Sequence, residues 1–240
     1  MDPANAGPPT GGGAPSRRVA VVVGAGGQLG LATARALAAA GYAVVGVDRS
    51  EQALGELPDG VHRVAGDATD PAAATALIDR IATEIGSPEV LVNTIGTFNL
   101  GAAVDATPQD LRVLMDVNLG TALWLSQAVE PYMRERGGGS IVHVTARPAS
   151  DPTAGMAAYS LSKAALSHLV RILDVELRPH GIRVNAVAPQ LLDTPFNRAE
   201  LPAAALAHAV RPEAIADVIA FLAGDLAAPV SGAIVPAYGA

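Results

Sequence analysis

Residues 18–30 read RVAVVVGAGGQLG, and this stretch decides the fold. Five aliphatic residues, Val19 to Val23, run without polar interruption, as a strand buried on both faces requires. A glycine-rich turn follows at once, and an apolar-periodic segment over 28–40 then predicts a helix. The unit of strand, tight turn and helix repeats down the chain. Further strands are expected at 43–47, 61–65, 90–95, 141–145, 184–188 and 233–235, with helices at 71–85, 107–136, 156–178 and 212–223. Leu166, Leu169, Val170, Leu173 and Leu177 fall at the spacing of a core-facing stripe. Alternation of this kind means right-handed crossovers and an α/β, doubly wound parallel sheet of about seven strands with helices on both faces.

Composition sets bounds on the rest. Half of the 240 residues are apolar, enough for a sizeable single-domain core without crosslinks. Cysteine is absent, which removes disulfides and thiolate chemistry and fits a cytoplasmic protein. A net charge of -7 without a basic cluster argues against nucleic acid or an anionic membrane as partner. No apolar run approaches the ~18 residues needed to span a bilayer. Residues 1–16, rich in Pro, Gly and Ala, are expected to be a disordered leader before a domain at 17–240. Gly137-Gly138-Gly139 and the Pro- and Ala-containing segment 200–209 read as loop or lid.

Chemistry enters at the first turn. In Gly24-Ala25-Gly26-Gly27-Gln28-Leu29-Gly30, the spacing reads as Gly24-x-x-Gly27-x-x-Gly30, with Gln28 and Leu29 between the last two glycines. Such a turn lets backbone amides approach a pyrophosphate at the positive end of a helix. Asp48 ends the second strand, 24 residues after Gly24. A carboxylate there suits adenosine ribose hydroxyls and repels a 2'-phosphate, so NAD is expected over NADP, although the next residue, Arg49, offers a guanidinium to that phosphate. Farther on, Tyr159 and Lys163 lie four apart on a predicted helix, hence on one face. An ammonium beside a phenol favours its ionised form, which predicts a lowered tyrosine pKa and a proton-transfer role.

With these residues in place, the chain resembles the short-chain dehydrogenase/reductase family, with its Rossmann sheet, over about residues 18–240. The resemblance implies that Asp67-Ala68 bracket an adenine. It also implies that Asn93-Thr94-Ile95-Gly96 steadies the sheet along the cofactor, and that Pro189 and Thr194 lie near the nicotinamide amide. Tyr159, Lys163 and Asn118 would be catalytic, Lys163 also holding the nicotinamide ribose and Asn118 ordering a water. Two positions depart from the pattern near the reacting groups. Ala146 stands where the family usually has a serine, thirteen residues before the tyrosine, and Gln190 replaces a glycine after Pro189. Thr145 offers a hydroxyl only if the strand end is slipped by one residue.

A serine-less site resembles the dihydropteridine reductase branch, as do residues 153–159 and 192–198. The implied activity is NADH-dependent hydride transfer to a small cyclic or conjugated carbonyl or imine. The alternative is a non-redox protein on the same scaffold, a cyclase, isomerase or cofactor-sensing module. Arg147, Phe98 and Gln190 join Thr145 and Ala146 as candidate substrate contacts. His143 is expected to be a satisfied core histidine, and His62, His168, His180 and His208 lack ligand spacing, so no metal is predicted. Trp124 and Leu125 read as packing or interface. A homodimer or homotetramer is implied by the resemblance.

Overall fold

The structure, a computed structural model, describes residues 17–239; the expected leader at 1–16 lies outside the described residues. Its strands are β1 Val19–Val23, β2 Ala43–Asp48, β3 His62–Ala65, β4 Pro88–Asn93, β5 Gly139–Val144, β6 Ile182–Pro189 and β7 Ile234–Ala237. They form one seven-stranded sheet in the order β3-β2-β1-β4-β5-β6-β7, every pair parallel. The order reverses between β1 and β4. At such a switch point neighbouring strands lead their connections to opposite faces and leave a crevice beyond their carboxyl ends.

The helices are α1 Gln28–Ala39, α2 Glu51–Leu54, α3 Pro71–Glu84, α4 Pro108–Met115, α5 Thr121–Glu135, α6 Ala157–Leu177, α7 Pro195–Glu200, α8 Ala203–Leu206 and α9 Pro212–Ala223. Two apolar layers result. Val19, Val21 and Val23 of β1 face α3, α5 and α6, while Ala20 and Val22 face α1 and α9. The continuous aliphatic run is therefore explained strand by strand, since alternate side chains enter different cores. The α6 stripe is buried at Leu166, Val170, Leu173 and Leu177, with Leu169 half-buried against the same core.

Helix starts follow local chemistry. Asp70 accepts the Ala73 amide at 2.9 Å to cap α3, and Thr107 with Asp110 forms a reciprocal capping box on α4. At the opposite end of the sheet, Arg183 donates to the carbonyls of Leu222, Ala223 and Gly224, the orphan acceptors at the end of α9.

Two expectations need correcting. The segment expected as one regular helix over 107–136 is widened by a π-turn, Asp116–Gly120, between α4 and α5. Segment 200–209 is not all loop, because it holds α8. Its base is tied down, with Asp193 N donating to Val210 O at 2.8 Å and Val210 N to Leu191 O at 2.7 Å. No described helix is long and apolar enough to cross a membrane.

Candidate active site

The crevice at the β1/β4 switch point begins with the glycine turn. Gly24 has φ +84°, and a Cβ there would lie 2.7 Å from Thr94 Oγ1. Gly30 is more demanding, because its Cβ would stand 2.1 Å from the carbonyl oxygen of Gly24. The first turn of α1 can therefore lie against the strand end only with glycine at 30. At Gly27, the N-cap of α1, a Cβ would meet nothing closer than 3.4 Å, so the helix N-terminus opens onto free space. Thr94 Oγ1 donates to the Val23 and Gly24 carbonyls, at 2.9 and 3.1 Å, and pins the turn to β4.

Two adjoining cavities run from this turn. One, of about 420 Å³, is lined by Gly24, Gly27, Gln28, Leu29, Gly30 and Thr94 with Leu192, Thr194, Pro195 and Phe196 from the α7 segment. The other, of about 460 Å³, continues past Asp48, Arg49, Gly66, Asp67 and Thr69 on one side and Ile95, Gly96 and Thr97 on the other. Asp48 does two things here. Its Oδ2 accepts the Gly26 amide and its Oδ1 the Ser50 amide, both at 3.1 Å, so it shapes the turn it faces. Arg49 stands 4.0 Å from Asp67, whose carboxyl is held below the usual range by the Thr69 amide and hydroxyl first, with the guanidinium a lesser cause.

The second cavity leads to a buried polar cluster. Asn118, on the π-turn, accepts the Thr97 amide through Oδ1 and donates through Nδ2 to the Thr97 carbonyl and to Ser162 Oγ, each at 2.9 Å. Ser162 in turn donates to the Tyr159 carbonyl at 2.8 Å. Lys163 donates to the Val144 carbonyl at 2.8 Å. A Cβ on Gly96 would come 3.2 Å from Lys163 Nζ and 3.3 Å from Asn118 Oδ1, so Gly96, Asn118 and Lys163 meet at one point. Phe98 stands edge-on to Tyr159, ring centroids 6.4 Å apart.

A family model described as enoyl-(acyl carrier protein) reductase matches residues 24–239. The chain belongs to the short-chain dehydrogenase/reductase family. Galactitol 2-dehydrogenase of Rhizobium johnstonii is 39% identical, over 90% of this chain and 91% of that one. Cis-4-hydroxycyclohexanecarboxylate dehydrogenase of Sinomonas cyclohexanicum is 40% identical, over 93% and 96%. The solved 7α-hydroxysteroid dehydrogenase, complexed with NADH and 7-oxo glycochenodeoxycholic acid, superposes with a TM-score of 0.87 at 30% identity, covering 92% of this chain and 93% of that chain. The protein is thus a short-chain NAD(P)-dependent dehydrogenase/reductase, and its glycine cradle, open helix N-terminus and strand-end carboxylate fit a dinucleotide.

Within this dehydrogenase/reductase, several expected residues also carry structural roles, Thr194 while lining the first cavity. Ala68 is buried in the core, and Asn93 is spent on the sheet, accepting the Ile95 amide at 3.0 Å and donating to Thr121 Oγ1 at 3.3 Å. Pro189 is buried at the end of β6, and Thr194 caps α7 by accepting the Asn197 amide at 3.2 Å. Thr145 does not replace the missing serine, since its hydroxyl donates to the Val187 carbonyl at 3.3 Å. Ala146 is 5% exposed and offers no donor.

Two electrostatic expectations are overturned. The Tyr159 pKa is not lowered: burial pushes it up to about 12, and Lys163 makes no hydrogen bond to the phenol. Burial also brings Lys163 down to about 8, because desolvation disfavours its charged form. His143 is only half satisfied. Its Nε2 meets Ser126 Oγ at 3.1 Å while Nδ1 has no partner among the described residues, and burial, then the ammonium of Lys163, lowers its pKa to about 3.

Trp124 packs half-buried against the core and Leu125 is fully buried. Among the described residues, no three His, Cys, Asp or Glu side chains gather as a metal site would need. Sequence reading missed Thr97 and Ser162, the backbone and hydroxyl partners that hold Asn118 in place. Their only signal is a common residue type.

Proposed function

We propose that this enzyme is NADH-preferring and reduces a small cyclic or conjugated carbonyl or imine, with Tyr159 as general acid and base. A bound nicotinamide supplies the hydride. The carrying observation is the convergence of Gly96, Asn118 and Lys163 at the inner end of a crevice whose outer end presents Asp48. The amides at the start of α1 hold pyrophosphate, and Asp48 takes ribose hydroxyls and turns away a 2'-phosphate. A phenol with a pKa near about 12 is protonated at neutral pH, so Tyr159 is set to give a proton to a developing alkoxide. Asn118 and Ser162 hold the backbone of Tyr159 and the π-turn in register. The two relatives near 40% identity are named for alcohols, which supports a carbonyl oxygen over a pteridine ring as the reacting group.

The test is a cofactor-oxidation screen with NADH and NADPH over cyclic ketones, cyclic imines and quinonoid pterins. Tyr159→Phe abolishes turnover while NADH binding, followed by Trp124 fluorescence, persists. Turnover at the original rate in that variant removes the proton role, and tight NADH binding without oxidation of NADH by any compound returns the non-redox alternative. The same reading makes the protein a homodimer or homotetramer, supported by Leu161, Ile172 and Val175 standing exposed on α6.

A further inference from the structure

Of the two positions where the chain departs from its family near the reacting groups, Gln190 is bonded to the residue that follows the other, Ala146. Arg147, directly after Ala146, donates from Nη1 to Gln190 Oε1 at 2.8 Å. Its Nε donates to Asp151 Oδ2 at 3.0 Å, and its Cζ stands over the Tyr238 ring, 4.8 Å from the centroid. The supports come from neighbouring strand ends. Strand β5 ends at Val144, β6 at Pro189 and β7 at Ala237, so Arg147, Gln190 and Tyr238 each follow the carboxyl end of one of three adjacent parallel strands. That edge is the ligand-binding edge of a parallel sheet.

A guanidinium has five N–H donors. Two are used here, and the rest, on Nη1 and Nη2, have no partner among the described residues. The group is held from three sides, so little rotamer freedom is left to lose on binding a ligand. An unspent fork of this kind matches the two parallel acceptors of a carboxylate, which a single hydroxyl or carbonyl oxygen does not. Asp151 engages only the Nε edge, and Ala146 beside it brings no competing group.

We propose that Arg147 recognises a carboxylate on the substrate, so that the enzyme acts on an oxo acid and, in reverse, a hydroxy acid. This rests on the reductase reading of the site, yet it is tested by binding without turnover. The protein saturated with NADH is titrated calorimetrically with cyclohexanecarboxylate and with its neutral carboxamide. Wild type is expected to prefer the carboxylate by about tenfold or more, as a charged, bidentate hydrogen bond implies. Arg147→Met abolishes the preference. Arg147→Lys does not restore it, because an ammonium is a point charge.

Gln190→Leu keeps the guanidinium but frees it, and lowers the preference without abolishing it. Equal affinity for the two probes in wild type, or a preference unchanged in a folded Arg147→Met protein, overturns the proposal. Should Arg147→Met fail to fold, a preference unchanged in Gln190→Leu overturns it in the same way. Carbonyl turnover without carboxylate preference likewise counts against Arg147 and leaves the reductase reading intact. A preserved, Arg147-dependent preference with no oxidation of NADH by any carbonyl compound supports this assignment and counts against the reductase reading alone.

Discussion

Lys163 gives its ammonium to the backbone carbonyl of Val144, at 2.8 Å, rather than to the phenol one helical turn before it. Burial dominates its titration, bringing its pKa to about 8 from an ordinary 10.5. The unfolded chain therefore binds the proton more tightly than the folded one. The resulting cost to stability, roughly 3 kcal/mol, is present in full below pH 8 and relieved as pH rises from 8 to 10.5. Lys163→Met is expected to lose activity but to gain stability relative to wild type at pH 7, offset by about 1 kcal/mol for the lost hydrogen bond. Urea unfolding at pH 7 and pH 10.5 checks this. A wild-type-to-variant difference that stays constant between the two pH values refutes it.

His143 has the same sign at lower pH. Its folded pKa of about 3 lies below the 6.5 of the open chain, so the unfolded state binds more protons between those values. Stability is lost as pH falls below 6.5, by roughly 2 kcal/mol at pH 5. In His143→Gln this slope disappears. Denaturant midpoints at pH 7 and pH 5 measure it, and an equal acid slope in both proteins would mean that the ring is accessible to water.

The fold was legible because its strands are buried on both faces. Val19 to Val23 enter two cores alternately, and that requirement writes an unbroken aliphatic run into the sequence. The crevice was legible from Gly24, Gly30 and Asp48, since each answers a local steric or charge demand. What holds Asn118 and Arg147 was not. Asn118 meets Ser162 across 44 residues and Arg147 meets Gln190 across 43, and no local pattern marks either pair. The π-turn at Asp116–Gly120 adds a residue to a helix without disturbing its apolar periodicity enough to be read. The tyrosine pKa was misjudged because sequence spacing shows the neighbouring lysine but neither the burial of the phenol nor the turn of Lys163 toward Val144.

Gly27 and Gly30 separate cofactor binding from folding. A methyl on Gly30 would collide with the Gly24 carbonyl at 2.1 Å, so Gly30→Ala must displace α1 and is expected to cost about 3 kcal/mol or more of stability. Gly27→Ala meets nothing closer than 3.4 Å and leaves the melting temperature within a few degrees, yet it crowds the helix N-terminus and weakens NADH binding. Thermal melts with and without NADH distinguish the two. Equal loss of melting temperature in both variants contradicts the geometry.

On the NADH reading, Asp48 would couple cofactor choice to the turn, because the same carboxylate accepts the Gly26 and Ser50 amides. Asp48→Asn removes the charge and keeps one acceptor oxygen. The ratio of kcat/KM for NADH over NADPH is expected to fall about tenfold, the value of a surface repulsion of about 1.4 kcal/mol. Steady-state kinetics with both cofactors test it, and an unchanged ratio would pass the discriminating role to Arg49.

Ala146 poses the last question, whether the missing hydroxyl limits the chemistry. The position is 5% exposed at the end of β5, and Thr145 cannot serve because its hydroxyl is bonded to Val187. On the carbonyl-reductase reading, Ala146→Ser would add one donor beside the developing alkoxide, and kcat for a plain cyclic ketone is expected to rise about tenfold, within the range spanned by oxyanion-donor deletions. For a substrate anchored by a carboxylate on Arg147 the gain is smaller, since orientation is already supplied from the neighbouring residue. Comparing the variant on cyclohexanone and on an oxo acid of the same ring measures the difference. A uniform loss on both would mean that the strand end has no room for a hydroxyl at position 146.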